Sequence, residues 1–456
     1  MRWRGMGPFT KWVDDHVFFR IRRKYLASFN RLRDTWCGVV GAGGGAKTAR
    51  GRIWFEGEVG ASGVVAELFE DCEFPLRDLR SGGGVGEGIE GDFLYGMEEV
   101  DAFSDEVGLQ WERAKDQAFA QTGQYIGLVW DLGRRTVSLP QDKVTKYVAA
   151  IQTWEEKRTH SLLEVQQLYG RLLHAALVLP TGRSRLTGLE SMLGLFNGRP
   201  FASLHPPASI RADLVWWADA LRRPDLSREL GRMFPGRVVD CQAFSDASSG
   251  VGVGIVVGGR WRAWRLLPGW KTLDGEKDIQ WAEAVGFELL VYAVARSHSP
   301  GTHLRLHGDN RGVVEGWWNL RSRNTAVNSV FRRLLDFLDG GGFNECIHSA
   351  YVRSEDNPAD GPSRGIFPPV SQLLPEIPLP PALQRFLIDA TAPLTAQEEA
   401  VRRSGQPPAI AAKESRPDRT LHWTGHGARD LGHDEERLGE FCYHEEGYGS
   451  GDWGLG

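Results

Sequence analysis

The sequence predicts a mixed α/β (α+β) fold organised around one domain at residues 237–367, with a central mixed five-stranded sheet. Three observations predict it. Apolar runs at residues 238–244, 251–257 and 260–265 follow one another through short turns, Ala247-Ser248-Ser249-Gly250 and Gly258-Gly259, as hairpin-connected strands do. Residues 279–295 form an apolar stretch too long for a strand and apolar almost all round, which reads as a central buried helix. Two more strand-like runs, 303–307 and 345–352, alternate with helical sequence, giving the order β-β-β-α-β-α-β-α.

Four places in this order carry a carboxylate. Asp246 ends the first strand, and Glu283 lies in the first turns of the long helix. Asp309 follows the strand at 303–307, and Asp360 closes Asn357-Pro358-Ala359-Asp360, which reads as a helix start. An Asp in any one of these contexts is equally a turn residue. Four in this order point to metal chemistry. Phosphodiester hydrolysis by two divalent ions roughly 3.5–4 Å apart needs several carboxylates converging on one point. Hard oxygen donors suit Mg²⁺ or Mn²⁺. Glu288, on the same helix, rivals Glu283.

With 456 residues the chain is long enough for two or three domains, and 41% hydrophobic with 25% charged residues is ordinary for a globular protein. No apolar run approaches a membrane span of roughly 20 residues, so no membrane partner is expected. The N-terminus, MRWRGMGPFTKW, lacks a signal-peptide core. Five cysteines (Cys37, Cys72, Cys241, Cys346, Cys442), odd in number and without metal-like spacing, suit a reducing, intracellular compartment. A net charge of −5 argues against a globally basic nucleic-acid binder and leaves room for a local basic patch.

Along the chain, residues 1–35 contain two short β-rich segments around Asp14-Asp15, read as a hairpin with carboxylates at its tip. Residues 36–92 are glycine-rich and poor in periodic apolar positions, so they read as a disordered insert. Gly43 to Thr48 lacks the spacing of a phosphate-binding loop. Residues 93–236 regain order: a helix at 100–107, a hairpin from strands 125–132 and 136–139, then helices at 143–154, from 162, and at 209–222. Ser161-Leu162-Leu163-Glu164 is a capping box, and Pro180 stops its helix. Lys143, Lys146, Arg171, Arg183 and Arg185 either track a phosphate backbone or form a solvated face. Residues 368–456 are Pro-rich and then polar, and read as mostly disordered. His422, His426, His433, Cys442 and His444 there have zinc-like spacings in an unfavourable composition.

Taken in order, FSDAS, QWAEA, LHGDN and NPADGPSR resemble the ribonuclease H family. Trp12-Val13-Asp14-Asp15 is similar to the aromatic-x-Asp-Asp hairpin of a reverse-transcriptase palm, and residues 93–147 to the end of that palm and its primer grip, with Lys115 matching the family's lysine. KWVDD and NPADGPSRG suggest the reverse transcriptase/ribonuclease H polyproteins of tyrosine-recombinase (DIRS- and Ngaro-like) retrotransposons. The resemblance covers residues 8–35 and 93–367. Only eleven residues precede Trp12, so the motif bearing the palm's other metal-binding Asp is missing. The expected fold is therefore a truncated palm and helical connection followed by a ribonuclease H-like domain, with polymerase activity lost unless other retroelement proteins supply the missing palm.

The resemblance implies cleavage of the RNA strand of an RNA·DNA hybrid with two Mg²⁺ (or Mn²⁺) ions. Asp246 would bridge both ions, Glu283 and Asp309 would hold the leaving-group ion, and Asp360 would complete the water-activating one. Glu283 follows Gln280-Trp281-Ala282 as in the family, which favours it over Glu288. Arg321, Arg323 and Asn324 join two helices where the hybrid backbone would pass. The mobile His of many family members is missing from Ser354-Glu355-Asp356-Asn357; His348 lies further back. Two other readings stay open: a nucleic-acid-binding remnant without turnover, and a nuclease of this fold acting on DNA.

Overall fold

The structure, a computed structural model, describes residues 1–12, 15–42, 46–49, 52–56, 68–72, 75–80, 89–224, 226–230, 238–272, 275–343 and 346–391. It is mixed α/β, with several sheets. The chain divides into two units, Met1–Pro140 with Ser227–Leu230, and Gln141–Leu226 with Gly231–Gly456.

In the first unit, Phe9–Trp12 pairs antiparallel with Asp15–Phe18, Trp12 opposite Asp15. The hairpin is therefore present, while Asp14 lies outside the described residues. A helix, Leu26–Ala42, follows. The glycine-rich segment departs from its composition: Ala46–Ala49, Arg52–Glu56 and Leu68–Cys72 form a three-stranded antiparallel sheet. Arg52–Glu56 reads RIWFE, a β-branched and aromatic run that outweighs the surrounding glycine. The core of the unit is Met6, Leu76, Leu94, Tyr95, Val100 and Phe103. Asn30 ties it down by bonding both the N–H (3.1 Å) and the C=O (3.0 Å) of Leu76.

The helix predicted at 100–107 runs Met97–Glu106. The expected hairpin is part of a four-stranded antiparallel sheet, in the order Ser227–Glu229, Thr136–Ser138, Leu128–Asp131, Thr122–Tyr125. Its first strand starts later than expected, because Ile126 (φ 47°) and Gly127 (φ 69°) form a tight left-handed turn.

In the second unit, helices Gln141–Glu155, Leu162–Ala175, Thr187–Leu195 and Ala208–Leu221 precede the main sheet. The capping box is formed: the Ser161 N–H donates to Glu164 at 2.8 Å, and the Glu164 N–H to the Ser161 hydroxyl. Three strands then run as predicted, β1 Val239–Ala247, β2 Gly252–Val257 and β3 Arg260–Leu266. Helix α1 is Ile279–Ala295, β4 Leu304–Gly308, α2 Arg311–Trp318, α3 Thr325–Gly341, β5 Ile347–Tyr351 and α4 Asp360–Ser363. The sheet has six strands where five were expected, because Leu387–Asp389 adds β6; the order is β5-β4-β1-β2-β3-β6. Strands β5, β4 and β1 are parallel and the rest antiparallel. Helix α1 is buried nearly all round between the sheet and α3, as its sequence requires.

Strand β6 belongs to the Pro-rich segment expected to be disordered. Long-range pairing orders it. The buried Arg262 guanidinium donates to Asp389 at 2.8 Å and to the Leu374 carbonyl at 2.7 Å, and Trp261 stacks on Phe367 at 4.9 Å. The His- and Cys-bearing tail lies outside the described residues.

The division of the chain also differs from the expected boundary near 236. The helices at 141–221 group with the sheet, and polar contacts to α3 tie them to it. Arg332 bonds Asp213 (2.9 Å), Arg185 bonds Asp336 (3.0 Å), and the Asn328 amide donates to the Ser184 carbonyl at 2.6 Å. No helix among the described residues is long and apolar enough to cross a membrane.

Candidate metal centre

Parallel pairing of β1 and β4 sets Ser245 beside Gly308, so the next residue of each strand, Asp246 and Asp309, emerges on neighbouring strand ends. Glu283 reaches the same point from α1, which Asp278 caps by accepting the Trp281 N–H. Gly286, one turn later, lies against the sheet: a Cβ there would crowd Val253 of β2 at 3.2 Å and touch the Asp246 carbonyl oxygen of β1 at an ordinary 3.5 Å. Ligand oxygens of Asp246, Glu283 and Asp309 all lie within 4.8 Å of one another.

The fourth predicted residue arrives on α4, which sits directly on β2. Gly254 pairs with Asp246, and a Cβ on it would meet the Ser363 nitrogen at 2.5 Å and the Ala359 carbonyl oxygen at 2.9 Å. Only glycine accommodates that approach. Asn357 locks the entry to α4, its amide donating to the Ser245 carbonyl (3.0 Å) and its oxygen accepting the Ala359 N–H (3.1 Å). The buried Ser363 hydroxyl donates to the Asp246 carboxylate. Asp360 itself is turned to Arg364, whose Nε donates to it at 2.7 Å, and it does not join the close set of three.

Electrostatics follow from burial and crowding. Asp246 and Glu283 are 4% and 8% exposed. Burial, opposed by the Ser363 hydrogen bond and reinforced by the Asp309 and Asp360 charges, pushes the Asp246 carboxyl up to about 7. Burial and then the charges of Asp246 and Asp309 push Glu283 up to about 9, against the pull of the Ala247 N–H. Without a cation the set therefore keeps protons at neutral pH. Asp309 Oδ1 is buried and has no hydrogen-bond partner. With this orphaned oxygen and two crowded carboxyls, the three residues are an all-oxygen donor set that could hold a metal ion.

Glu288 is settled by its surroundings. Fully buried, it accepts from the Tyr292 hydroxyl (2.7 Å) and from Arg333 at 2.9 and 2.7 Å. Its oxygens are taken by the core, and Glu283 is the one that meets Asp246. The nucleic-acid candidates fare differently from one another. Arg321 pairs with Glu190, and the Asn324 oxygen caps α3 by accepting the Ala326 and Val327 N–H groups. Arg323 is exposed before α3, and Lys115 is exposed in the first unit. Asp15 belongs to the first-unit hairpin. Asn357, Ser363 and Arg364 were not singled out from sequence, although all three stand within NPADGPSR. No known protein family, curated protein or solved structure matches this chain.

Proposed function

We propose that this chain is a metal-dependent nuclease of the ribonuclease H type that hydrolyses the RNA strand of RNA·DNA hybrids. One observation carries the reading: Asp246, Glu283 and Asp309, from two parallel strand ends and a buried helix, bring oxygens within 4.8 Å of one another. That arrangement agrees with the order of FSDAS, QWAEA, LHGDN and NPADGPSR. Such a cluster raises two carboxyl pKa values and so costs stability unless a cation is bound.

Asp246, Glu283 and Asp309 would hold one Mg²⁺ (or Mn²⁺), and Asp246 with Asp360 a second. Bound there, the pair of ions supplies an activated water and stabilises charge on the departing oxygen. Ser363 fixes the Asp246 carboxylate, and Gly254 seats the helix that carries Asp360. Hybrid specificity would rest on contacts to the 2′-hydroxyls of one strand. The first unit fits the same reading as the remnant of a reverse-transcriptase palm, supported by the pairing of Trp12 with Asp15 and by the hairpin of Leu128–Asp131 with Thr136–Ser138.

The substrate test uses the purified full chain with end-labelled RNA·DNA hybrid, duplex DNA and duplex RNA, in Mg²⁺ and in EDTA. Cleavage of the RNA in the hybrid, dependent on Mg²⁺, is the expected result. Preference for duplex DNA would refute the hybrid substrate, and silence on all three would leave a binding remnant.

A further inference from the structure

Asp360 is the one predicted ligand whose charge already has a partner. It accepts from Arg364 Nε at 2.7 Å, one helical turn on, while the other three carboxylates bring oxygens within 4.8 Å of one another. Both residues are held in place by backbone. The Arg364 N–H donates to the Asp360 carbonyl at 3.2 Å, and Gly365, with φ of 83°, turns the chain away immediately afterwards. Neighbouring Ser363 is anchored to Asp246. The Arg364 side chain nevertheless stays 59% exposed at the lip of the site, close enough to feel the charges of Asp246 and Asp309.

Arg364 holds one Asp360 oxygen, Oδ1, and its positive charge both neutralises that carboxylate and repels a cation placed beside it. We propose that Arg364 is a positioning residue that withholds Asp360 from the second metal ion until a substrate phosphate takes the guanidinium over. The inference rests on the metal centre described under the proposed function. The exchange is chemically matched. A phosphodiester offers two oxygens in the plane that a guanidinium fork prefers, and its charge replaces the one Asp360 gives up. Ligation of the second ion by Asp360 and capture of a phosphate by Arg364 are then two halves of one event. The three-carboxylate set binds one ion on its own, and the second site is completed with substrate.

Calorimetric titration of the full-length protein with Mn²⁺, without nucleic acid, reads this directly. Arg364→Ala is expected to bind a second Mn²⁺ about fivefold more tightly than the wild type, the scale of an exposed ion pair. Arg364→Lys falls between, and adding Asp360→Asn to Arg364→Ala removes the gain. The Michaelis constant of Arg364→Ala for the hybrid is expected to rise severalfold in the same preparation, so that metal binding and substrate binding shift in opposite directions. A purely structural arginine would shift neither in this way. Identical Mn²⁺ isotherms for wild type and Arg364→Ala overturn the inference while leaving the metal centre intact. An unchanged Michaelis constant overturns the phosphate half, and absence of Mn²⁺ uptake by either protein overturns the metal centre itself.

Discussion

Replacing Glu283 with Gln should stabilise the metal-free protein, and by an amount that grows with pH. Burial and the neighbouring Asp246 and Asp309 charges raise Glu283 from an ordinary 4.5 to about 9. The folded state therefore binds the Glu283 proton over a window in which the unfolded chain has released it. Stability from this group is full below about pH 4 and is lost as pH rises towards 9. Asp246, raised to about 7, adds a loss of the same sign over the lower part of that window. At about 1.4 kcal/mol per pKa unit, the Glu283 shift alone corresponds to roughly 6 kcal/mol by pH 9; because the mutual repulsion is shared with Asp246, about 3–6 kcal/mol is the expected range. Glutamine keeps the shape and can still accept the Ala247 N–H, but carries no charge to bury. Urea denaturation in EDTA from pH 5 to 9 should show the variant and wild type close together at pH 5, and the variant several kcal/mol more stable at pH 9. Excess Mg²⁺ should rescue the wild type at pH 8, by about 2.7 kcal/mol at a hundredfold excess over its dissociation constant, and the variant much less. A stability difference independent of pH would refute the electrostatic account.

Gly254→Ala should drive α4 off β2, since its Cβ meets backbone atoms of Ser363 and Ala359 at 2.5 and 2.9 Å; hybrid cleavage should fall at least about tenfold, a cost on the scale of overpacking. Wild-type cleavage by this variant would show that α4 does not position the site. Glu288→Gln should destabilise by about 3 kcal/mol in urea because it leaves Arg333 without its buried partner, yet leave Mn²⁺ affinity unchanged; weaker Mn²⁺ binding would return Glu288 to the site. Asp389→Ala should release β6 from Arg262 at a similar cost, seen as a lower urea midpoint and early cleavage by protease between residues 366 and 391; an unchanged midpoint would mean that the strand adds nothing to the sheet.

Strands β1, β2, β3 and helix α1 were legible because each is a local apolar pattern, and the end of β1 and the first turns of α1 place Asp246 and Glu283. The partnership of Asp246 with Asp309 was legible only through motif order, since it depends on parallel pairing of strands more than fifty residues apart. Strand β6 was illegible: nothing local in a Pro-rich stretch announces that Asp389 will meet Arg262 or Phe367 the Trp261 ring. The boundary at Pro140 was hidden for a related reason. Arg185 reads as part of a solvated or phosphate-tracking face until folding pairs it with Asp336 on α3. Ile126 defeated the strand prediction because a β-branched residue at φ 47° is unusual, and its context in the turn with Gly127 decides it. Ser363 and Arg364 were overlooked because their partners, Asp246 and Asp360, were read for their own charge alone.

Hydrolysis of a labelled RNA·DNA hybrid by wild type and Asp246→Asn, in Mg²⁺, tests the central claim most directly. Asp246 sits at the centre of the set, hydrogen-bonded by Ser363 and crowded by Asp309. The account predicts Mg²⁺-dependent cutting of the RNA strand by the wild type, and a loss of orders of magnitude in the variant, with a melting temperature in EDTA equal to or above that of the wild type because one buried charge is gone. A variant that cuts at the wild-type rate, or a wild type that cuts nothing in Mg²⁺, would contradict it.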